Sequence, residues 1–176
     1  MKIVLQRDTR PGEPGNATGD CFVACLATVL GHTYEQAATL LGLEISTDGF
    51  AIGTDDGLTI PEVVDVLDRS GFAALVLLAQ HPLNVAAKSP KIKRDLRLPA
   101  SDEVKERLNG LRAIVGIALA HGETHCCVWD GSQVLDLRRN AASPRTGDDL
   151  VFALAVYSMT RAEMLSRQMT LLDAVA

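Results

Sequence analysis

Four cysteines and four histidines hold most of the nucleophilic and basic chemistry open to this chain. Cys21 and Cys25 lie in the stretch GDCFVACLATVLG, and Cys126 and Cys127 are adjacent in THCCVW. Apolar residues follow Asp20 at helical spacing and stop at Gly31. The spacing therefore predicts a helix over 21–30 with Asp20 as its N-cap. Cys21 then stands at the helix mouth and Cys25 one turn inside. A thiol at the mouth faces unpaired N–H groups and the positive end of the helix dipole, which favour thiolate. The same N–H groups can hold the oxyanion formed when a thiolate attacks a carbonyl. Cys25, on an apolar helix, reads as core.

A nucleophilic thiol needs a base. Among His32, His81, His121 and His125, the last falls in a strand pattern. THCCVW and QVLDLR flank Asp130-Gly131, a hairpin signal. With those two residues as the whole turn, Trp129 faces Ser132, and counting back sets His125 directly opposite Asp136. Opposed side chains in an antiparallel pair lie ~4.5–5.5 Å apart at Cβ. The carboxylate would fix the imidazole tautomer and leave the far nitrogen for the thiol. A slip of one residue would put the two on opposite faces. Asp136 has an alternative reading as a surface partner of Arg138 or Arg139, and His121 is the alternative base. His32 and His81 read as exposed loop residues, Trp129 as hairpin packing or a cleft wall. Cys126 and Cys127 alternate across the strand, so one faces the core and the other the site; both read as packing.

Several elements must position these groups. KIVLQ near the start is a strand candidate, followed by a Pro/Gly-rich loop. TYEQ (Thr33 to Gln36) and TIPE (Thr59 to Glu62) have the form of capping boxes and open helices that end near Gly42 and Gly71. LEISTDGFAIGTDDG reads as loop. AALVLLA (Ala73 to Ala79) reads as a buried strand, His81 to Ala100 as irregular, and Ser101 as the cap of a short helix. RAIVGIALA, THCCVW, QVLDLR and LVFALAVYSM are strands, with RNAASPRTGDD as a loop before the last. Thr160 opens a closing helix. Helices followed by hairpin-connected strands make an α+β pattern rather than alternating βαβ units.

Composition narrows the partners. The chain has 176 residues, 47% hydrophobic and 22% charged, enough for one domain with a core. A net charge of −5 argues against nucleic acid. The basic run Lys88 to Arg97 reads as a solvated loop, with a substrate- or phosphate-facing loop as the alternative. No window approaches the ~18 apolar residues of a membrane span. No export segment is legible either, so a cytoplasmic protein with reduced thiols is expected.

MKIVLQ, GDCFVACLATVLG and THCCVWDGSQVLDLR together resemble the papain-like cysteine peptidases, and most closely C39-like peptidases and small phage or bacterial proteins of that type. The segment from Leu43 to Leu111 contributes nothing to the likeness beyond element order. The resemblance implies a single papain-like domain over 1–176, its Cys-bearing N-terminal helix packed on a mostly antiparallel sheet. It implies Cys21 as nucleophile, His125 as general base, Asp136 as orienting residue and an upstream Gln as oxyanion donor. Gln6 is that Gln, but it lies fifteen residues before Cys21, farther than in the family; Asn16, five residues before, competes. A thiol-dependent hydrolase of peptides, isopeptides or small amides is implied, with no cofactor. Two other readings stand beside it: a catalytically inactive binding or adaptor module, and a zinc site from Cys21, Cys25, His125 and Cys126 or Cys127.

Overall fold

Both capping boxes form in a computed structural model of the chain, which describes residues 1–7, 20–47, 49, 51–52, 58–86, 98–119, 124–138, 141–145 and 149–159. Thr33 and Thr59 accept the backbone N–H of Gln36 and Glu62, whose side chains return to the cap N–H. In chain order the elements are α1 (Asp20–Leu30), α2 (Tyr34–Leu40), β1 (Glu44–Ile45), β2 (Ala51–Ile52), α3 (Ile60–Arg69), β3 (Phe72–Leu78), α4 (Pro82–Ala86), α5 (Ser101–Arg107), β4 (Ala113–Ala118), β5 (Thr124–Trp129), β6 (Val134–Arg138), β7 (Ala141–Arg145) and β8 (Leu150–Ser158). Strands β3 to β8 form one sheet in the order β3-β8-β4-β5-β6-β7, with every neighbouring pair antiparallel. This is the α+β architecture expected from the element order. Among the described residues, no helix is long and apolar enough to cross a membrane.

The sheet is buried on both faces, and β5 serves both. Cys126 and Val128 pack with Phe22, Cys25 and Leu26 of α1. Cys127 and Trp129 pack in the opposite layer with Val104 and Leu108. Alternation along a strand thus sends two adjacent cysteines into different cores. Trp129 is buried and donates its indole N–H to the Leu108 carbonyl at 2.9 Å, so it is packing and not a cleft wall.

The hairpin turn differs from expectation. β5 ends at Trp129 and β6 resumes at Val134, leaving Asp130–Gln133 as the connection. The Asp130 carboxylate takes the N–H groups of Ser132 and Gln133 at 2.9 and 3.0 Å, and Gly131 has φ +111°. The Asp130 N–H also donates to the Gln133 carbonyl at 3.1 Å, so the tight turn has moved one residue along, from Asp130-Gly131 onto Gly131-Ser132. The register becomes Val128↔Leu135 and Trp129↔Val134, two residues from the one counted above.

Other departures have similar tertiary causes. KIVLQ joins no strand: Val4 exchanges hydrogen bonds with the Thr28 hydroxyl, and Gln6 N–H reaches the Leu137 carbonyl. RNAASPRTGDD contains β7, an edge strand, where Pro144 needs no ladder donor. AALVLLA is no buried strand; β3 is the other edge, with Leu75 and Leu78 exposed. LEISTDGFAIGTDDG contributes the β1–β2 pair, and α4 interrupts the stretch expected to be irregular. Ala100, not Ser101, caps α5, because the Ser101 hydroxyl accepts the Leu150 N–H. His32 lies edge-on to Phe72, and His81 Nδ1 accepts the Leu83 N–H; both are half-buried, not exposed. The expected closing helix and the run Lys88 to Arg97 lie outside the described residues.

Gly116 of β4 faces Phe152 of β8, and a Cβ at this glycine would overlap the Phe152 ring. Phe152 also belongs to the core beneath α1, so it cannot swing away freely. Gly116→Ala should cost about 1–3 kcal/mol in denaturant unfolding; unchanged stability would show that the ring yields.

Candidate active site

The mouth of α1 is assembled from three chain segments. Asp20 is buried and is the first helical residue, not a cap outside the helix. Its carboxylate accepts the Arg7 backbone N–H at 3.0 Å and the Tyr34 hydroxyl. Tertiary partners have drawn this side chain away from its own helix. Cys21 follows, half-buried against the α1 core. The Cys126 and His125 side chains and the Cys126 backbone lie near enough to its sulfur to favour the thiolate.

His125 Nε2 lies 2.9 Å from Asp136 Oδ1, leaving Nδ1 as the ring nitrogen for the thiol. The two residues are not directly opposed, as the simple hairpin required. The register is displaced by two, and an even displacement keeps every side chain on its face. Continued one step, it sets Cys127 against Asp136, so the imidazole reaches the carboxylate diagonally. Asp136 is 1% exposed. Its second oxygen takes Arg138 Nε at 3.0 Å and Arg145 Nη1 at 3.1 Å. The two readings of Asp136 are thus both realised, one on each oxygen; Arg139 lies outside the described residues.

These contacts set the charges. The hydrogen bond from the Cys126 side chain pulls the Cys21 thiol well below its usual range; burial opposes this, and the hydrogen bond and charge of His125 add to it. Burial alone would lower the His125 imidazole, but hydrogen bonds with Asp136, Cys127 and Cys21 and the Cys21 charge raise it far above its ordinary value. Burial would raise the Asp136 carboxyl, and His125, Arg138 and Arg145 together hold it well below the carboxylate range. The favoured state is thiolate, imidazolium and carboxylate in a row. Cys25 goes the other way: burial, with the Cys21 charge adding to it, pushes its thiol up and keeps it protonated.

Of Cys126 and Cys127 the sequence placed one toward the core and one toward the site and read both as packing; both border the site. Cys126 is packing, as expected, but its thiol also hydrogen-bonds Cys21 and is itself pushed up, first by that bond and then by burial. Cys127 shares a hydrogen bond with His125 and lies beside the imidazole and Asp136. The signal for Cys126 was available: a residue after a strand histidine points to the opposite face, here toward α1. The alternative zinc set of Cys21, Cys25, His125 and Cys126 or Cys127 is not among the groups of described residues close enough to share an ion. Among the described residues, the group close enough to share an ion is His125, Cys127 and Asp136, with ligand atoms within 4.8 Å of one another. Cys25 is walled off in the α1 layer.

Gln6 and Asn16 competed as oxyanion donor. Gln6 is carried beside the site: its N–H binds Leu137 of β6, and the next N–H, of Arg7, binds Asp20. Its side-chain Nε2 is buried and has no hydrogen-bond partner among the described residues. A buried donor left unpaired costs about 1–3 kcal/mol, which a ligand oxygen would recover. Asn16 and His121 lie outside the described residues. No protein-family model matches the chain, and no curated protein matches it.

Two outcomes follow. Iodoacetamide should modify Cys21 far faster than Cys25, Cys126 or Cys127, with a rate that persists well below the ordinary thiol pKa of about 8.5. Equal rates at all four, or a rate that climbs only through that value, would contradict the ion pair. Asp136, depressed in the folded state, stabilises above the unfolded carboxyl pKa of about 3.9, and this stabilisation is lost as pH falls through its folded value. Asp136→Asn should therefore flatten the acid limb of unfolding stability; an unchanged limb would contradict the assignment.

Proposed function

We propose that the chain is a cysteine hydrolase of peptidase or amidase type, a papain-like, C39-like domain acting by acyl transfer. The observation that carries this reading is the buried Asp136 bound to His125 Nε2, with Cys21, at a helix mouth, near enough to the same imidazole to be drawn toward thiolate. That is the order nucleophile, base and orienting group require.

The Cys21 thiolate attacks the carbonyl carbon of an amide. A C–S bond forms and the π pair moves onto oxygen. The Cys21 backbone N–H and Gln6 Nε2 hold that oxyanion. As it collapses, the imidazolium gives its Nδ1 proton to the leaving nitrogen and the C–N bond breaks. The neutral imidazole then takes a proton from water, the hydroxide attacks the thioester, and Cys21 leaves as thiolate. Asp136 stays ionised throughout, held by Arg138 and Arg145, and keeps the ring oriented in both halves. Peptides, isopeptides and small-molecule amides all fit this chemistry.

A metal reading has one observation behind it, the approach of His125, Cys127 and Asp136. It is weakened by Arg138 and Arg145, whose charges already occupy Asp136 and would repel a cation. A third reading, an adaptor without turnover, predicts selective alkylation of Cys21 but no acyl-enzyme.

Electrophilic peptide and ubiquitin-type probes with mapping of the modified residue, together with hydrolysis of an acyl substrate, separate the three. Labelling at Cys21 with hydrolysis of the acyl substrate, both abolished in Cys21→Ala while the fold survives, is the expected result; labelling without hydrolysis would favour the adaptor. Retention of most turnover by Cys21→Ala, or stoichiometric zinc whose removal unfolds the protein, would contradict it.

A further inference from the structure

The segment bearing Gln6 is held at both ends by α1. Val4 is pinned by the Thr28 hydroxyl, at 2.9 Å from its N–H, and Arg7 by the Asp20 carboxylate. From Thr28 back to Asp20, a helix rises ~12 Å, and three extended residues reach ~10 Å. Residues 4–7 are therefore drawn nearly straight along α1, antiparallel to it. Between the pins, Gln6 N–H is fixed to Leu137 of β6 at 3.0 Å. These three anchors all use the backbone of the stretch, and among the described residues its buried unpaired donor is Gln6 Nε2.

Asp20 anchors more than the strap. Its other oxygen takes the Tyr34 hydroxyl, which accepts the Ala51 N–H at 3.0 Å. The Arg7 guanidinium lies 4.3 Å over the Tyr34 ring, pairs with Glu35 at 2.6 Å and donates to Gly49 at 3.0 Å. A buried carboxylate beside a nucleophilic thiol is electrostatically adverse to the thiolate, so its presence calls for another benefit.

We infer that Asp20 is a positioning residue for the oxyanion hole: by clamping the Arg7 backbone to the mouth of α1 it aims the free Gln6 amide at the carbonyl oxygen attacked by Cys21. The inference rests on the hydrolase reading above. It assigns Asp20, Tyr34 and Arg7 to the acylation step and not to thiolate formation.

Two reagents divide those roles. Iodoacetamide is attacked at a tetrahedral carbon and develops no oxyanion; p-nitrophenyl acetate is attacked at a carbonyl and does. Asp20→Ala should slow acylation by p-nitrophenyl acetate about tenfold or more, as Gln6→Ala should, because a misplaced donor loses most of its effect. Alkylation of Cys21 by iodoacetamide at neutral pH should stay the same or rise. The double variant should be no slower in acylation than Gln6→Ala alone, since the two act through one amide. Tyr34→Phe, which keeps the ring and removes only the hydroxyl, should move acylation in the same direction by less, and it serves if Asp20→Ala does not fold. Equal losses in both reactions, or multiplicative losses in the double variant, would overturn the positioning role while leaving Cys21 as nucleophile. Acylation that survives Cys21→Ala would instead sink the hydrolase reading itself.

Discussion

A carboxylate sealed from water at Asp136 is the constraint on which the site depends. An ionised group with so little exposure is unstable unless partners replace its hydration. It has three, from three neighbouring strands: His125 on β5, Arg138 on β6 and Arg145 on β7. The requirement runs outward. β7 must lie at the edge to deliver Arg145, and β5 must keep its parity to deliver His125. With one oxygen saturated by arginines, the other is left to orient a single ring nitrogen.

The second support is the division of β5 between two cores. Cys126 meets α1 and hydrogen-bonds Cys21; Cys127 faces the other layer and hydrogen-bonds the imidazole. One strand thus delivers the imidazole and two thiols that lie beside it. The chain amid these groups is the strap at residues 4–7, held by α1 and β6 through backbone bonds. Asp20 closes this frame, tying the strap, α1, α2 and β2 to one buried carboxylate.

Much of this was legible in the residues, for reasons that differ by position. Cys21 at a helix mouth needs only local periodicity and a stop glycine. The His125–Asp136 coupling survived an incorrect turn because the turn moved by one residue, which displaces the pairing by two and leaves side-chain parity intact. The direct opposition was lost, since local sequence does not reveal that an aspartate will close the loop with its side chain. Asp20 as N-cap failed likewise, its carboxylate taken by Arg7 and Tyr34. β7 carries no alternating pattern and contains Pro144; its place follows from pairing with β6 and from the need of Asp136 for Arg145. Gln6 was ambiguous because only backbone bonds to distant residues bring it beside the helix mouth.

In the proposed mechanism His125 is an imidazolium paired with a Cys21 thiolate at neutral pH. Nitrogen-15 NMR of the His125 ring tests it directly. Two protonated ring nitrogens are expected at pH 7, with a titration moved downward in Cys21→Ala, which removes the thiolate charge. A neutral ring that titrates near the ordinary histidine value of about 6.5, with no response to Cys21→Ala, would contradict it.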